Sequence, residues 1–142
     1  QKARMVSKIR EALGGTEAEK KIAILGLTFK PETDDMRDSP SLAIIPPLLD
    51  KGATIFAHDP VGVQEARKLL PETVHFSQTI EEAVKDSDAI ILMTEWNQYK
   101  GLDLIELQKL MKGNVFVDLR NVYEPHSMAE KGFKYYCIGR QS

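Results

Sequence analysis

The chain has a single cysteine, Cys137, in 142 residues, and no apolar run long enough to cross a bilayer. One thiol excludes an internal disulfide and a cysteine-rich zinc site, and predicts a reducing, cytoplasmic setting. A membrane span needs roughly 18–20 consecutive apolar residues. The longest run here, Ala89-Ile-Ile-Leu-Met93, has the length of a strand. Charge of one sign is missing too: 19 Lys and Arg face 21 Asp and Glu, a formal net charge of −2 without a basic block. That balance argues against a nucleic-acid surface and against an anionic-membrane footprint. The three histidines, His58, His75 and His126, lack metal-ligand spacing and are expected at the surface or in turns, so no metal site is assigned. No Ser-His-Asp set, pair of catalytic carboxylates or Walker loop is present, and no catalytic residue is assigned.

What the chain does have is 42% hydrophobic residues in a regular alternation of short and longer segments. A chain of this length buries about two-thirds of its surface on folding, which suits one ordinary core and is too little for two full domains. Residues 1–13 read as a helix with Met5, Ile9, Ala12 and Leu13 on one face, stopped by Gly14-Gly15. That helix has neither an initiating Met nor an N-cap, so it reads as already under way and predicts a piece of a longer protein. Strands are expected at 21–25, 54–57, 74–76, 89–93, 115–118 and 134–138. Between them, Ser39-Pro40 opens a helix expected to reach Lys51, and Gly62 to Leu70 forms the next. Thr79-Ile-Glu-Glu82 and Asp103-Leu-Ile-Glu106 match the capping pattern, and residues 125–131 close the set. Pro46-Pro47 conflict with a helix and should kink, interrupt or restart it. Six strands separated by helices predict right-handed crossovers and a Rossmann-like, doubly wound α/β fold with a six-stranded, mainly parallel sheet.

In such a sheet the ligand crevice lies beyond the carboxyl ends of the strands, where strand order reverses. A dinucleotide site there would need G-x-G-x-x-G after the first strand. The loop is instead Gly26-Leu-Thr-Phe-Lys-Pro-Glu-Thr-Asp-Asp-Met-Arg-Asp38, with one glycine, so the dinucleotide fingerprint is absent. Lys30 and Arg37 in this loop could reach a phosphate, or could merely neutralise Glu32, Asp34, Asp35 and Asp38. On spacing alone Arg37 reads as an internal ion-pair partner, and Lys30 is evenly divided between the two roles. Arg120 follows the fifth strand on the same sheet edge, where a surface ion pair is the plainer reading. Strands lie about 4.8 Å apart, so residues two strands from one another could share one diphosphate. Asp59 stands where Rossmann domains keep a ribose-binding carboxylate, but Asp59-Pro60 is preferred as a turn. Glu95-Trp96 is expected to rim the crevice or to pack at a domain interface, and Cys137 to be a buried, inert thiol.

Residues 21–41, from Lys21-Ile-Ala-Ile-Leu-Gly-Leu-Thr-Phe-Lys30 through Asp38-Ser-Pro-Ser41, resemble the signature of the C-terminal, UDP-binding domain of nucleotide-sugar dehydrogenases. The resemblance continues through Ala57-His-Asp-Pro60, Ser87-Asp-Ala-Ile-Ile-Leu-Met-Thr-Glu-Trp96 and Val117-Asp-Leu-Arg-Asn-Val-Tyr123, and spans residues 20–140. Thr94-Glu-Trp96 with Asp118-Leu-Arg-Asn121 looks most like the UDP-glucose 6-dehydrogenase branch, rather than the UDP-N-acetylmannosamine or GDP-mannose branches. The resemblance implies an N-terminal NAD-binding domain, a central helix that makes a homodimer or higher assembly, and this domain closing over the active site. The implied reaction oxidises the sugar C6 alcohol to a carboxylate in two NAD-dependent steps, through a cysteine outside this chain. It supplies nucleotide sugar for polysaccharide biosynthesis, and this chain alone is expected to be inactive. Phe29, Lys30 and Arg120 match substrate-binding positions. Arg37 matches an arginine that reaches NAD held by the other domain, which displaces its internal-pair reading. Residues 1–15 would be the tail of the central-helix connection and 16–142 the UDP-binding domain. The residues alone also allow a stand-alone nucleotide-binding module or a structural assembly domain.

Overall fold

The computed structural model describes residues 2–28 and 30–137. The apolar runs become six strands: β1 (Lys21–Leu25), β2 (Thr54–His58), β3 (His75–Phe76), β4 (Ala89–Leu92), β5 (Val115–Asp118) and β6 (Lys134–Cys137). The intervening helices are α1 (Lys2–Ala12), α2 (Ser41–Asp50), α3 (Val63–Leu69), α4 (Ile80–Val84), α5 (Asn97–Lys100), α6 (Leu104–Leu110) and α7 (Pro125–Glu130). The sheet order is β3-β2-β1-β4-β5-β6 and each neighbouring pair is parallel. The doubly wound fold expected from the sequence is therefore present, with strand order reversing between β1 and β4.

Continuous apolar strands need cover on both faces. All four residues of β4 and four of the five in β1 are buried. Ile22, Ile24, Ile55, Ile91 and Val117 face one layer, where they meet Ile9 of α1, Ile44, Ile45 and Leu48 of α2, and Ala66 of α3. Ala23, Leu25, Ile90, Leu92 and Phe116 face the other, against Val84 of α4, Leu107 of α6 and Met128 of α7. The period of two along each strand thus sorts the side chains into two cores.

Helix ends follow their capping residues. In α1 the Gly15 N–H donates to the Arg10 carbonyl (2.9 Å) and Gly14 N–H to Glu11 (3.0 Å), a Schellman pair made possible by φ of +91° and +103° at the two glycines. Thr79 accepts from Glu82 N–H (3.1 Å) and Asp103 from Glu106 N–H (3.2 Å), as their spacing predicts. At α2 the helix begins at Ser41, and Ser39 Oγ accepts the Ser41 N–H (3.2 Å).

Three expectations are corrected here, and one helix that was not expected is present. Pro46 and Pro47 do not interrupt α2, which runs continuously from Ser41 to Asp50. Two interior prolines cost about 3 kcal/mol each. Ile44, Ile45 and Leu48 on the same helix are wholly buried, and each such burial contributes about 1.5–3 kcal/mol. Burial of that face therefore offsets the loss. The short α5, invisible as a pattern at four residues, carries the wholly buried Tyr99. Trp96 packs in the domain's own core rather than at a rim or an interface. Cys137 is half-buried on the edge strand β6 instead of buried. Ile138 lies outside the described residues. Among the described residues, no helix is long and apolar enough to cross a membrane.

Gly26 at the end of β1 has φ +92°, and a Cβ there would sit 2.5 Å from Thr94 Cβ and 2.7 Å from its backbone nitrogen. Gly26→Ala should lower unfolding stability by at least about 1–3 kcal/mol. Gly101→Ala, which meets nothing within 4 Å, should stay within about 0.5 kcal/mol of wild type. Urea midpoints of the two variants check this.

Candidate functional site

The crevice is built by three loops leaving β1, β4 and β5, and two buried carboxylates shape them. Asp59, just beyond β2, is 5% exposed. Its Oδ2 accepts the N–H groups of Leu27 (2.8 Å) and Thr28 (3.3 Å), and its Oδ1 those of Val61 (3.0 Å) and Gly62 (2.6 Å). The turn reading of Asp59 is right but incomplete, because the same carboxylate also pins the start of the loop after β1. Three further hydrogen bonds hold that loop. Thr94 Oγ1 donates to the Thr28 carbonyl (2.6 Å), and the hydroxyls of Ser39 and Ser41 donate to the Leu27 carbonyl (2.5 and 2.8 Å).

Asp118, the last residue of β5, is wholly buried and does the same for the other side. It accepts the N–H groups of Arg120 (2.9 Å), Val122 (2.8 Å) and Tyr123 (3.1 Å) and the hydroxyl of Tyr135 (2.6 Å). Burial, with the Asp118 charge adding to it, pushes the Tyr123 phenol up to about 12.

These scaffolds carry the candidate side chains. Lys30 is exposed, with its carbonyl receiving the Thr28 hydroxyl (3.0 Å). Phe29 lies outside the described residues. Arg120 is half-buried, and its Nε donates to Glu95 Oε1 (3.2 Å). With β4 between them, β1 and β5 put the Lys30 loop and Arg120 on one edge of the sheet, two strands apart. Arg37 projects outward, 89% exposed, and forks onto Asp35 through Nη2 (2.9 Å) and Nε (3.1 Å). The hydrogen bonds from the Arg37 guanidinium and backbone N–H hold the Asp35 carboxyl down at about 2. Internal pairing, the plain reading of its spacing, is thus the state of Arg37 in this structure. Glu95, Lys100, Arg120, Asn121, Val122 and Tyr123 line a recess of about 440 Å³.

Beneath the crevice runs a polar chain that sequence spacing did not reveal. Tyr99 donates its hydroxyl to the His58 carbonyl (3.0 Å) and meets His58 Nδ1 at 2.8 Å, while Tyr123 donates to the Tyr99 carbonyl (2.5 Å). His58 is therefore buried, 5% exposed, and not the surface residue expected. Burial pushes its imidazole below the ordinary value and the Tyr99 phenol above its own. His75 instead stacks on Phe56 with ring centres 4.5 Å apart, and His126 is exposed. Glu95, expected at the crevice rim, does line the recess; the residues missed from sequence are Asp118 and Thr94. Their one visible signal is a polar residue placed where an apolar strand stops.

Residues 23–125 match the model of the UDP-glucose/GDP-mannose dehydrogenase family, UDP binding domain. The chain belongs to that family. This UDP-binding domain is 45% identical over 139 residues to a UDP-glucose 6-dehydrogenase of Rhizobium meliloti, covering 98% of the chain and 32% of the relative. It is 43% identical over 142 residues to UDP-glucose 6-dehydrogenase YwqF of Bacillus subtilis, covering all of the chain and 32% of that relative. The domain thus spans about a third of the length of the curated relatives it matches. Among solved structures it resembles an NDP-N-acetyl-D-galactosaminuronic acid dehydrogenase of Methanosarcina mazei (TM-score 0.80, 33% identity, 99% of this chain and 29% of that one). It also resembles a UDP-glucose dehydrogenase of Pyrobaculum islandicum (TM-score 0.76, 32% identity, 95% and 28%).

Because His58 is held neutral in the fold, the unfolded chain takes up the proton more readily as pH falls. Stability should therefore be full above about 6.5, the unperturbed histidine value, and fall below it. Urea midpoints at pH 7.5 and 5.5 should differ in the wild type and converge in His58→Asn. An equal fall in that variant would refute this role.

Proposed function

We propose that this chain is the UDP-gripping part of an NAD-dependent UDP-glucose 6-dehydrogenase that converts UDP-glucose to UDP-glucuronate. The two oxidations at C6 would use a cysteine elsewhere in the polypeptide, in a cytoplasmic enzyme. The observation that carries this reading is the common edge shared by the Lys30 loop and Arg120, at the carboxyl ends of β1 and β5. A diphosphate is the ligand that two such cations suit. Hydrogen bonds to a charged group contribute about 1.5–3 kcal/mol each, and Arg120, being half-buried, is shielded in part from screening by water. The relatives named UDP-glucose 6-dehydrogenase, together with Thr94-Glu-Trp96, support glucose as the sugar. Phe29 completes the substrate-binding set. Binding energy collected on the UDP would hold the sugar C6 where the reacting groups of the whole enzyme meet it.

The residues of this chain do not fit NAD. The connection from β1 to α2 has one glycine, and the start of α2 is closed off: Ser39 and Ser41 are 1% and 0% exposed, their hydroxyls turned inward to Leu27. On the proposed reading, NAD is held by another domain of the same polypeptide. Arg37 would reach it from this side, exchanging Asp35 for a cofactor phosphate. Residues 1–15 would lead in from a central dimer-forming helix, and 16–142 would form the binding unit. The apolar face of α1, through Val6, Ile9 and Ala12, and Leu13 just beyond its end seat that connection in the core.

Titration of this chain with UDP should give weak, salt-sensitive binding that Lys30→Ala/Arg120→Ala removes, with no NADH formed from UDP-glucose and NAD. Unchanged binding in the double variant would remove these residues from the site. In the full-length enzyme, Arg37→Ala should raise KM for NAD about tenfold while UDP affinity stays at wild type. An unchanged KM would return Arg37 to a purely internal pair.

A further inference from the structure

Arg120 cannot grip an anion well unless something holds it. Its stem carries several rotatable bonds, and immobilising such a side chain on binding costs affinity. The structure contains a holder. Glu95 Oε1 receives only the Nε hydrogen of Arg120, at 3.2 Å, in a pair whose side chains are 30% and 26% exposed. A guanidinium has five N–H donors in a planar fork. Engaging it at Nε leaves the outer edge, with both terminal nitrogens, without another hydrogen bond among the described residues. That edge is the one that forks onto two oxygens of a phosphate. The backbone of Glu95 is itself anchored, since the neighbouring Thr94 side chain donates to the Thr28 carbonyl at 2.6 Å, in the loop that carries Lys30.

We infer that Glu95 is a positioning residue of the diphosphate grip: it fixes Arg120 by Nε so that the terminal edge of the guanidinium faces the ligand, and it ties that edge to the Lys30 loop. This rests on the reading of Lys30 and Arg120 as the UDP grip. The inference runs against simple electrostatics, because a carboxylate beside a diphosphate site repels the ligand. If repulsion dominated, any neutral residue at 95 would tighten binding. If holding dominates, only a residue that still accepts the Nε hydrogen will serve.

Glu95→Gln and Glu95→Ala separate the two effects, since both remove the charge and only glutamine keeps the acceptor. UDP affinity by calorimetry, and kcat and KM for UDP-glucose, are measured on the full-length enzyme with wild type and Arg120→Ala alongside. Glu95→Gln should bind UDP at least as tightly as wild type. Glu95→Ala should bind about tenfold more weakly than Glu95→Gln, with the loss in KM and kcat held near wild type. Equal affinities in the two variants, or tighter binding in Glu95→Ala, would overturn the inference while a weakened Arg120→Ala leaves the grip itself standing. If wild type shows no UDP binding, or Arg120→Ala binds as wild type does, the grip and the inference fall together.

Discussion

Two buried carboxylates at strand ends, Asp59 and Asp118, are the constraint on which the crevice depends. Each accepts four hydrogen bonds, and seven of the eight donors are backbone N–H groups in the loops at the carboxyl edge, the exception being the Tyr135 hydroxyl of β6. Backbone N–H groups just past a strand end have lost their ladder partners and would cost free energy if left unpaired away from water. A carboxylate gathers several at once, which a neutral side chain cannot match. The loops thereby gain fixed shapes without regular structure of their own.

The central strands set where those carboxylates stand. Sheet order reverses between β1 and β4, and the close approach of Gly26 to Thr94 binds the two exits together at that point. A positive φ at Gly26 and the hydroxyl bond from Thr94 to Thr28 give the neighbouring loop its direction. Arg120 and Lys30 then inherit their positions from backbone already held in place. Arg37, whose one ion pair among the described residues is with Asp35, is almost fully exposed and has no comparable anchor there.

Much of this was legible in the sequence. Apolar runs such as Ala89–Leu92 announce buried strands because both faces must be covered. Thr79 and Asp103 announce helix starts because a side-chain oxygen is needed there. What stayed hidden depends on residues far apart in the chain. His58 looks like a turn residue until Tyr99, 41 positions away, supplies its partner. Pro46 and Pro47 look like breakers until the buried face of α2 is counted against them. Of the candidate site, the cations and the missing glycines could be read directly. The hydrogen bonds that aim the cations could not, since local spacing carries no trace of the Glu95 to Arg120 contact.

Strand pairing gives the lone thiol a particular vantage. Cys137 is the residue opposite Asp118 in the β5–β6 register, half-buried on the sheet's outer strand and the single cysteine of the chain. A fluorophore or spin label attached to that sulfur would sit beside the carboxylate that shapes the Arg120 turn, on a strand rather than on the turn itself. The domain therefore carries a native attachment point from which rearrangement of that turn can be watched without engineering a new one.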